Sequence, residues 1–243
     1  MPKGSQAGGS ARAKHKDLTK SWHRRHRGFF FTLGAICGLV VVAAYLASRV
    51  WPEASWMLGF FGGVALTFFL LMRWSPPGWI ENWEVGALGE EATGRQLAKL
   101  DSTRWSVIHD VDTGRGNVDH LVIGPGGVFV LDSKRVGGRV IVRADDIRVE
   151  RMDDERLGYP LPVANVRGLA AQTSERMFAA THIRAWVTPV LVIWAEFPQR
   201  LVEGDWVVVH GEDLVGWLES RPVRVASENI PRIANAARAA WIA

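Results

Sequence analysis

Cysteine occurs once in 243 residues, at Cys37. A single thiol forms no disulfide within the chain, and no zinc site can be assembled from cysteines. That usage suits a reducing compartment. Charge is missing from two long stretches: the 20 positions 29–48, FFFTLGAICGLVVVAAYLAS, and the run 54–72, ASWMLGFFGGVALTFFLLM. About 20 apolar residues cross a bilayer core as a helix. A nucleotide-binding loop is also missing. Gly124-Pro125-Gly126-Gly127 leads into Val128-Phe129-Val130, without the helix and the Lys-Ser/Thr pair that a phosphate loop needs. No Ser-His-Asp or Cys-His arrangement stands out from the sequence.

The basic character is unevenly placed. The pI is about 9.6, yet residues 1–27 carry eight Lys and Arg against Asp17, or +7, and the remainder carries 21 basic and 24 acidic residues, or −3. Global charge therefore says nothing for nucleic-acid binding by the rest of the chain. The first 27 residues, rich in Gly, Ser, Ala and Lys, read as a disordered basic tail. It sets orientation and offers charge to anionic lipid.

The two uncharged runs read as transmembrane helices at about 29–49 and 54–73, joined by the short turn Arg49-Val50-Trp51-Pro52-Glu53. Trp51, Trp56 and Trp74 fall at interfacial depth, and Gly59, Gly62 and Gly63 permit close helix contact. The basic tail belongs inside by the positive-inside rule. Two spans return the chain to the same side, so a multi-pass inner-membrane protein with both termini cytoplasmic is expected. A cleaved signal peptide is the weaker reading, because the basic lead is long and the second span would still anchor the chain.

Ser75-Pro76-Pro77-Gly78 opens a linker over 75–83. The soluble part then reads as an α/β domain around a mixed sheet. A helix is expected over 84–100 and a strand over 105–111, then a loop at 112–116. A hairpin of 117–124 and 127–135 comes next, followed by strands at 139–143 and 146–151. A helix over 163–182, strands at 187–194 and 206–210, and helices at 211–219 and 229–241 complete it. The β-branched run VTPVLVIW at 187–194 is that of a strand covered on both faces.

The hairpin NVDHLVIGPGGVFVLDSK carries chemistry. If Ile123 pairs with Val128 across the four-residue turn, Leu121 faces Val130 and Asp119 faces Asp132. Side chains alternate, so Lys134 shares the face of Asp132. Opposed side chains lie about 5 Å apart at Cβ. Two carboxylates that close repel unless a cation or proton intervenes. Phosphodiester hydrolysis needs an activated water and a counter-charge, and a divalent cation supplies both. Magnesium, or manganese in its place, suits carboxylates. Asp119, Asp132 and the Ser133 carbonyl are the candidate ligands, with Glu90 or Glu91 from the preceding helix completing the shell. Lys134 would orient water or stabilise the transition state. Arg135, Arg139 and Arg143 are either phosphate contacts or solvated strand residues. His120 points to the face opposite Asp119 and reads as a packed or solvent-facing histidine. His109 with Asp110 and Asp112 is a weak metal pattern.

Gly86-Ala87-Leu88-Gly89-Glu90-Glu91, the hairpin and Gln172 together resemble the PD-(D/E)xK nuclease superfamily. They resemble its nuclease-related domain, NERD, more closely still. The resemblance runs from about Gly86 to Leu218. It implies a restriction-endonuclease-like mixed sheet flanked by helices, here preceded by a transmembrane helical hairpin. By position it makes Glu90, Asp119, Asp132 and Lys134 catalytic, and Arg135 and Gln172 substrate-binding. The Asn-Pro that often precedes the glutamine is absent here. The domain is expected over 84–220, with a C-terminal helix in 221–243. The reading is a membrane-anchored, Mg²⁺- or Mn²⁺-dependent phosphodiester hydrolase acting on DNA. The alternative is a catalytically weak nucleic-acid-binding or scaffolding module.

Overall fold

The computed structural model describes residues 6–112, 117–143, 146–151, 158–161, 164–182 and 185–242. Of the loop expected at 112–116, Asp112 ends a strand and the remaining residues lie outside the described ones. The chain divides into two compact units, residues 13–84 and a second made of the N-terminal residues through Arg12 with Val85 onward.

The tail expected to be disordered is helical: α1 runs Gly9–Arg25, its first residues in the second unit and the rest in the first. The glycines that prompted the expectation stop at Gly9. Beyond it the segment is dominated by Ala, Lys, Arg and Leu, which are good helix formers. The expected spans are helices α2 (Arg27–Val50) and α3 (Ser55–Trp74), joined by a 3₁₀ turn at Pro52–Ala54. Both are long and apolar enough to cross a membrane, and only 11% and 6% of their most apolar windows is buried. A core helix of a soluble protein would be mostly covered. Here Phe31, Leu39, Tyr45, Trp56, Phe60 and Leu71 are each more than half exposed.

The linker expected over 75–83 is shorter than its span suggested, because α4 starts at Gly78 and ends at Leu97. Pro76 and Pro77 stop α3 but suit the start of the next helix, where a missing N–H costs nothing. Ile80 N–H already bonds the Pro77 carbonyl.

The second unit is built on one eight-stranded mixed sheet. Strands β1 (Ser106–Asp112), β2 (Asn117–Gly124) and β3 (Gly127–Arg143) form an antiparallel meander. The chain then makes the short strands β4 (Asp146–Glu150) and β5 (Tyr159–Pro160) and crosses through α5 (Ala164–Thr181). It returns as β6 (Val187–Glu196), parallel to β3. A helical crossover is what a parallel pair requires. Strands β7 (Leu201–Glu203) and β8 (Val207–His210) extend the sheet to the order β1-β2-β3-β6-β8-β7, with β4 and β5 attached beyond β3. Strand β7 escaped the sequence reading, since three residues carry no period. The strand expected separately at 139–143 is the far end of β3, which crosses Gly137-Gly138 through a bulge between Arg135 and Arg139. The helix expected at 211–219 begins as a 3₁₀ turn and becomes α6 (Leu214–Glu219). The C-terminal helix, α7, occupies only Asn229–Ile242 of the 221–243 span.

The hairpin register is the expected one: Ile123 pairs Val128 and Leu121 pairs Val130. One face of the sheet buries Leu121, Ile123, Val128 and Val130 against α5 and α7. The other buries Val122, Phe129, Leu131 and Val190 against Leu97, Trp105 and Trp217. Each such buried aliphatic side chain contributes about 1.5–3 kcal/mol of transfer free energy. The centre of the sheet is therefore a rigid platform, and β3 runs on past the end of its pairing with β2 while staying paired with β6.

Candidate active site

Helix α4 sets the site's depth. Ala87, Glu90, Thr93, Gly94 and Leu97 follow the three- and four-residue spacing of one helical face. Ala87, Glu90, Thr93 and Leu97 are buried. Thr93 fastens this face to the sheet. Its hydroxyl donates to the Gly89 carbonyl at 3.1 Å and accepts from Ser133 Oγ and Trp194 Nε1, both at 2.8 Å. One donor and two acceptor positions are all that a hydroxyl has. Fixing Thr93 to Ser133 on β3 and Trp194 on β6 places Glu90, three residues earlier on the same helical face, toward the end of the hairpin.

There the acids meet. The paired register ends at His120 with Leu131; the next positions out are Asp119 and Asp132. Asp119 Oδ2 reaches across to accept the Ser133 N–H at 2.7 Å. Lys134 Nζ donates to Asp132 Oδ1 at 2.9 Å. The side chains of Asp132 and Lys134 keep 13% and 31% of their surface exposed, so the pair is reachable from solvent.

The charges feel one another. Burial, then Asp110 and Asp132, push Glu90 up to about 7. Burial, then Asp132 and Glu90, hold Asp119 well above the usual carboxylate range. Burial alone would depress Lys134, but Asp132, Asp119 and Glu90 outweigh it and keep the ammonium above its ordinary value. Three carboxylates and one ammonium thus lie within electrostatic reach of one another, a net deficit of positive charge.

Glu90 and Glu91, equivalent in the sequence, part here. Glu91 pairs with Arg12, whose Nη2 lies 2.8 Å from Oε2. Glu90 faces the acid cluster and is 9% exposed, and its Oε2 is buried with no hydrogen-bond partner. Arg135 is exposed on the opposite side of β3 from Lys134, beside Gly89. Gln172 is half-buried on α5. His120 is fully buried, its Nδ1 2.7 Å from His109 Nδ1. Burial and His109 lower it to about 3, so it is a neutral packing group.

Two residues take roles here that the sequence did not assign them, Thr93 and Asp110, the latter read only as part of a weak metal pattern with His109 and Asp112. Thr93 carries no signal in a helix that a core threonine would not share. Asp110 sits at φ 56, and its carboxylate is close enough to raise Glu90; backbone strain of this kind gathers at functional sites.

The donor set fits a hard divalent cation. Asp119 and Asp132 offer carboxylate oxygens, Ser133 offers a carbonyl between Asp132 and Lys134, and Glu90 Oε2 is an orphaned acceptor. Among the described residues no three His, Cys, Asp or Glu side chains are gathered as ready ligands. Magnesium takes one or two carboxylates and keeps several waters, so the fit does not require three.

Residues 85–194 match the family model of the nuclease-related domain, NERD. That segment is similar to a nuclease-related domain. A search of curated proteins and a search of solved structures each give no match. The matched segment of the nuclease-related domain runs from α4 to β6 and holds Glu90, Thr93, Asp119, Asp132 and Lys134. A nuclease-like function and a mixed α/β nuclease-like fold follow at that level.

Thr93→Val removes the shared hydroxyl and leaves Ser133 and Trp194 donors unsatisfied. We expect a loss of about 1–3 kcal/mol in chemical denaturation; unchanged stability contradicts the role given to Thr93. Glu90 holds its proton to about 7 in the folded chain against an ordinary 4.5, so the folded state binds more protons between those values and loses stability as pH rises through them. Buried His120 acts in the opposite sense, and comparison with Glu90→Gln isolates the carboxylate. In EDTA, Glu90→Gln gains melting temperature relative to wild type between about pH 5 and about pH 8. A constant difference contradicts the upward push that burial gives the Glu90 carboxyl.

Proposed function

We propose that the protein is a membrane-anchored, divalent-metal-dependent nuclease that hydrolyses phosphodiester bonds in DNA. The observation that carries this reading is the meeting of Glu90, Asp119, Asp132 and Lys134 at the open end of the hairpin, inside a nuclease-related domain.

Asp119, Asp132 and the Ser133 carbonyl would hold Mg²⁺ or Mn²⁺, with Glu90 through its free oxygen or a bound water. Bound there, the ion lowers the pKa of a water and neutralises charge growing on the phosphate. The chain's own groups do the rest. The Ser133 N–H fixes the Asp119 carboxylate in one orientation. Lys134 stays protonated at neutral pH, so it is no general base; it places an ammonium beside the incoming phosphate and stabilises negative charge in the transition state. The water oxygen bonds to phosphorus as the bond to the leaving sugar oxygen breaks, and the water's proton passes to a carboxylate or to solvent. Arg135, exposed at the next position of β3, is the candidate for a backbone-phosphate contact. Gln172 remains a candidate substrate contact by family position alone.

Helices α2 and α3 serve as the anchor. Eight basic residues precede α2 or open it, Arg49 alone lies in the turn and Arg73 closes α3, which favours both termini in the cytoplasm. The basic tail is suited to anionic headgroups.

A second reading has one observation behind it. Outside the first 27 residues the chain carries −3, whereas strand binding favours a basic groove; a binding or scaffolding module would need no catalysis. The full chain, recovered from membranes in detergent, is incubated with Mg²⁺ or Mn²⁺ and labelled DNA and RNA in both strand states. We expect metal-dependent cleavage of DNA that falls by about 10²–10⁴ in Asp132→Ala and Lys134→Ala. Binding without cleavage supports the module, and equal cleavage by the variants removes the assigned site.

A further inference from the structure

The N-terminal segment Gln6–Arg12 belongs to the same compact unit as the acid cluster, and its contacts fall on that cluster's rim. The Gly8 N–H donates to the Glu90 carboxylate. Ser10 N–H donates to Asp110 Oδ2 at 2.8 Å, and Asn117 Nδ2 donates to Ser10 Oγ at 3.0 Å. Arg12 bonds Glu91. The backbone is closely fitted as well. Gly8 sits at φ +74, and a Cβ there would come 2.9 Å from the Ala87 carbonyl; a Cβ on Gly94 would meet Ala7 Cβ at 2.7 Å.

These contacts have one electrical meaning. The N-terminus of a helix presents unsatisfied N–H groups and about half a positive charge. Helix α1 has no acidic residue of its own in its first turn. Asp110 and Glu90 cap it from β1 and α4, and the Arg12 guanidinium adds a full positive charge at Glu91. The Glu90 and Asp110 carboxylates thus receive backbone N–H groups from the chain's own amino-terminal segment, and Arg12 neutralises the adjoining Glu91.

We propose that Gln6–Arg12 is an intramolecular occupant of the candidate active site, competing with a divalent cation for the Glu90 side of the acid cluster and holding the domain in a restrained state. The proposal rests on the reading that Glu90, Asp119 and Asp132 receive such a cation. Both occupants are positive and both use the Glu90 carboxylate, so each weakens the other. By linkage the effect is reciprocal: a bound cation loosens the segment by the same factor that the segment weakens the cation.

The test uses the full chain in detergent and Mn²⁺ binding followed by electron paramagnetic resonance of the free ion. Two variants displace the segment without touching a carboxylate. Gly8→Val strains the segment itself. Gly94→Ala fills the seat of Ala7 from the helix side, with a residue that favours the helix more than glycine does. Both are expected to bind Mn²⁺ about five- to tenfold more tightly than wild type. Trypsin is expected to cut after Arg12 faster in both variants, and faster in wild type once Mn²⁺ is added. Asp132→Ala is expected to lose the binding in every background. Equal affinity in wild type and both variants, with Mn²⁺ bound through Asp132, overturns the competition and leaves the metal reading standing. Absence of Asp132-dependent binding in all proteins overturns the metal reading and the competition with it.

Discussion

Three carboxylates and one ammonium within electrostatic reach of one another, and partly out of water, are the constraint on which the rest of this domain turns. Glu90, Asp119 and Asp132 come from three different elements, α4, β2 and β3; Asp132 raises the cost of ionising both Glu90 and Asp119, and Glu90 raises it further at Asp119. Such a cluster persists only if the surrounding structure holds it. The sheet does so by burying the near end of the hairpin between two apolar layers. Thr93 does so by tying α4 to β3 and β6 through a saturated hydroxyl. The Ser133 N–H, the Lys134 ammonium and the first turn of α1 return part of the missing positive charge.

The hairpin was legible because its information is local. Alternation assigns faces, Gly124-Pro125-Gly126-Gly127 fixes the turn, and from Ile123 opposite Val128 every other pair follows by counting. The crossover strand at 187–194 was legible for a similar reason, as a β-branched run covered on both sides. What the sequence hid depends on partners far along the chain. Glu90 and Glu91 are adjacent on one helix, and only packing decides that one faces the acid cluster and the other meets Arg12. Thr93 has meaning only beside Ser133 and Trp194. Asp110 sits at a positive φ that no single residue type announces. The strand read as two pieces is one, because a glycine pair can mark a bulge as readily as an end.

The amino-terminal part teaches the same lesson with the opposite sign. Its composition resembled a disordered tail, and counting Gly, Ser and Lys over the whole stretch obscured a helix that begins where the glycines stop. That helix matters because its first residues lie in the unit of the acid cluster while the chain beyond them leads into two helices with the length and apolarity of membrane spans. If the protein is an anchored nuclease, anchor and site are joined by a segment that itself touches the acids.

Anomalous diffraction from crystals of the full chain grown with Mn²⁺ addresses the central claim most directly. The account predicts one peak bonded to carboxylate oxygens of both Asp119 and Asp132, with the Lys134 ammonium alongside. A fully occupied manganese elsewhere, with Asp119 and Asp132 bare, would contradict it.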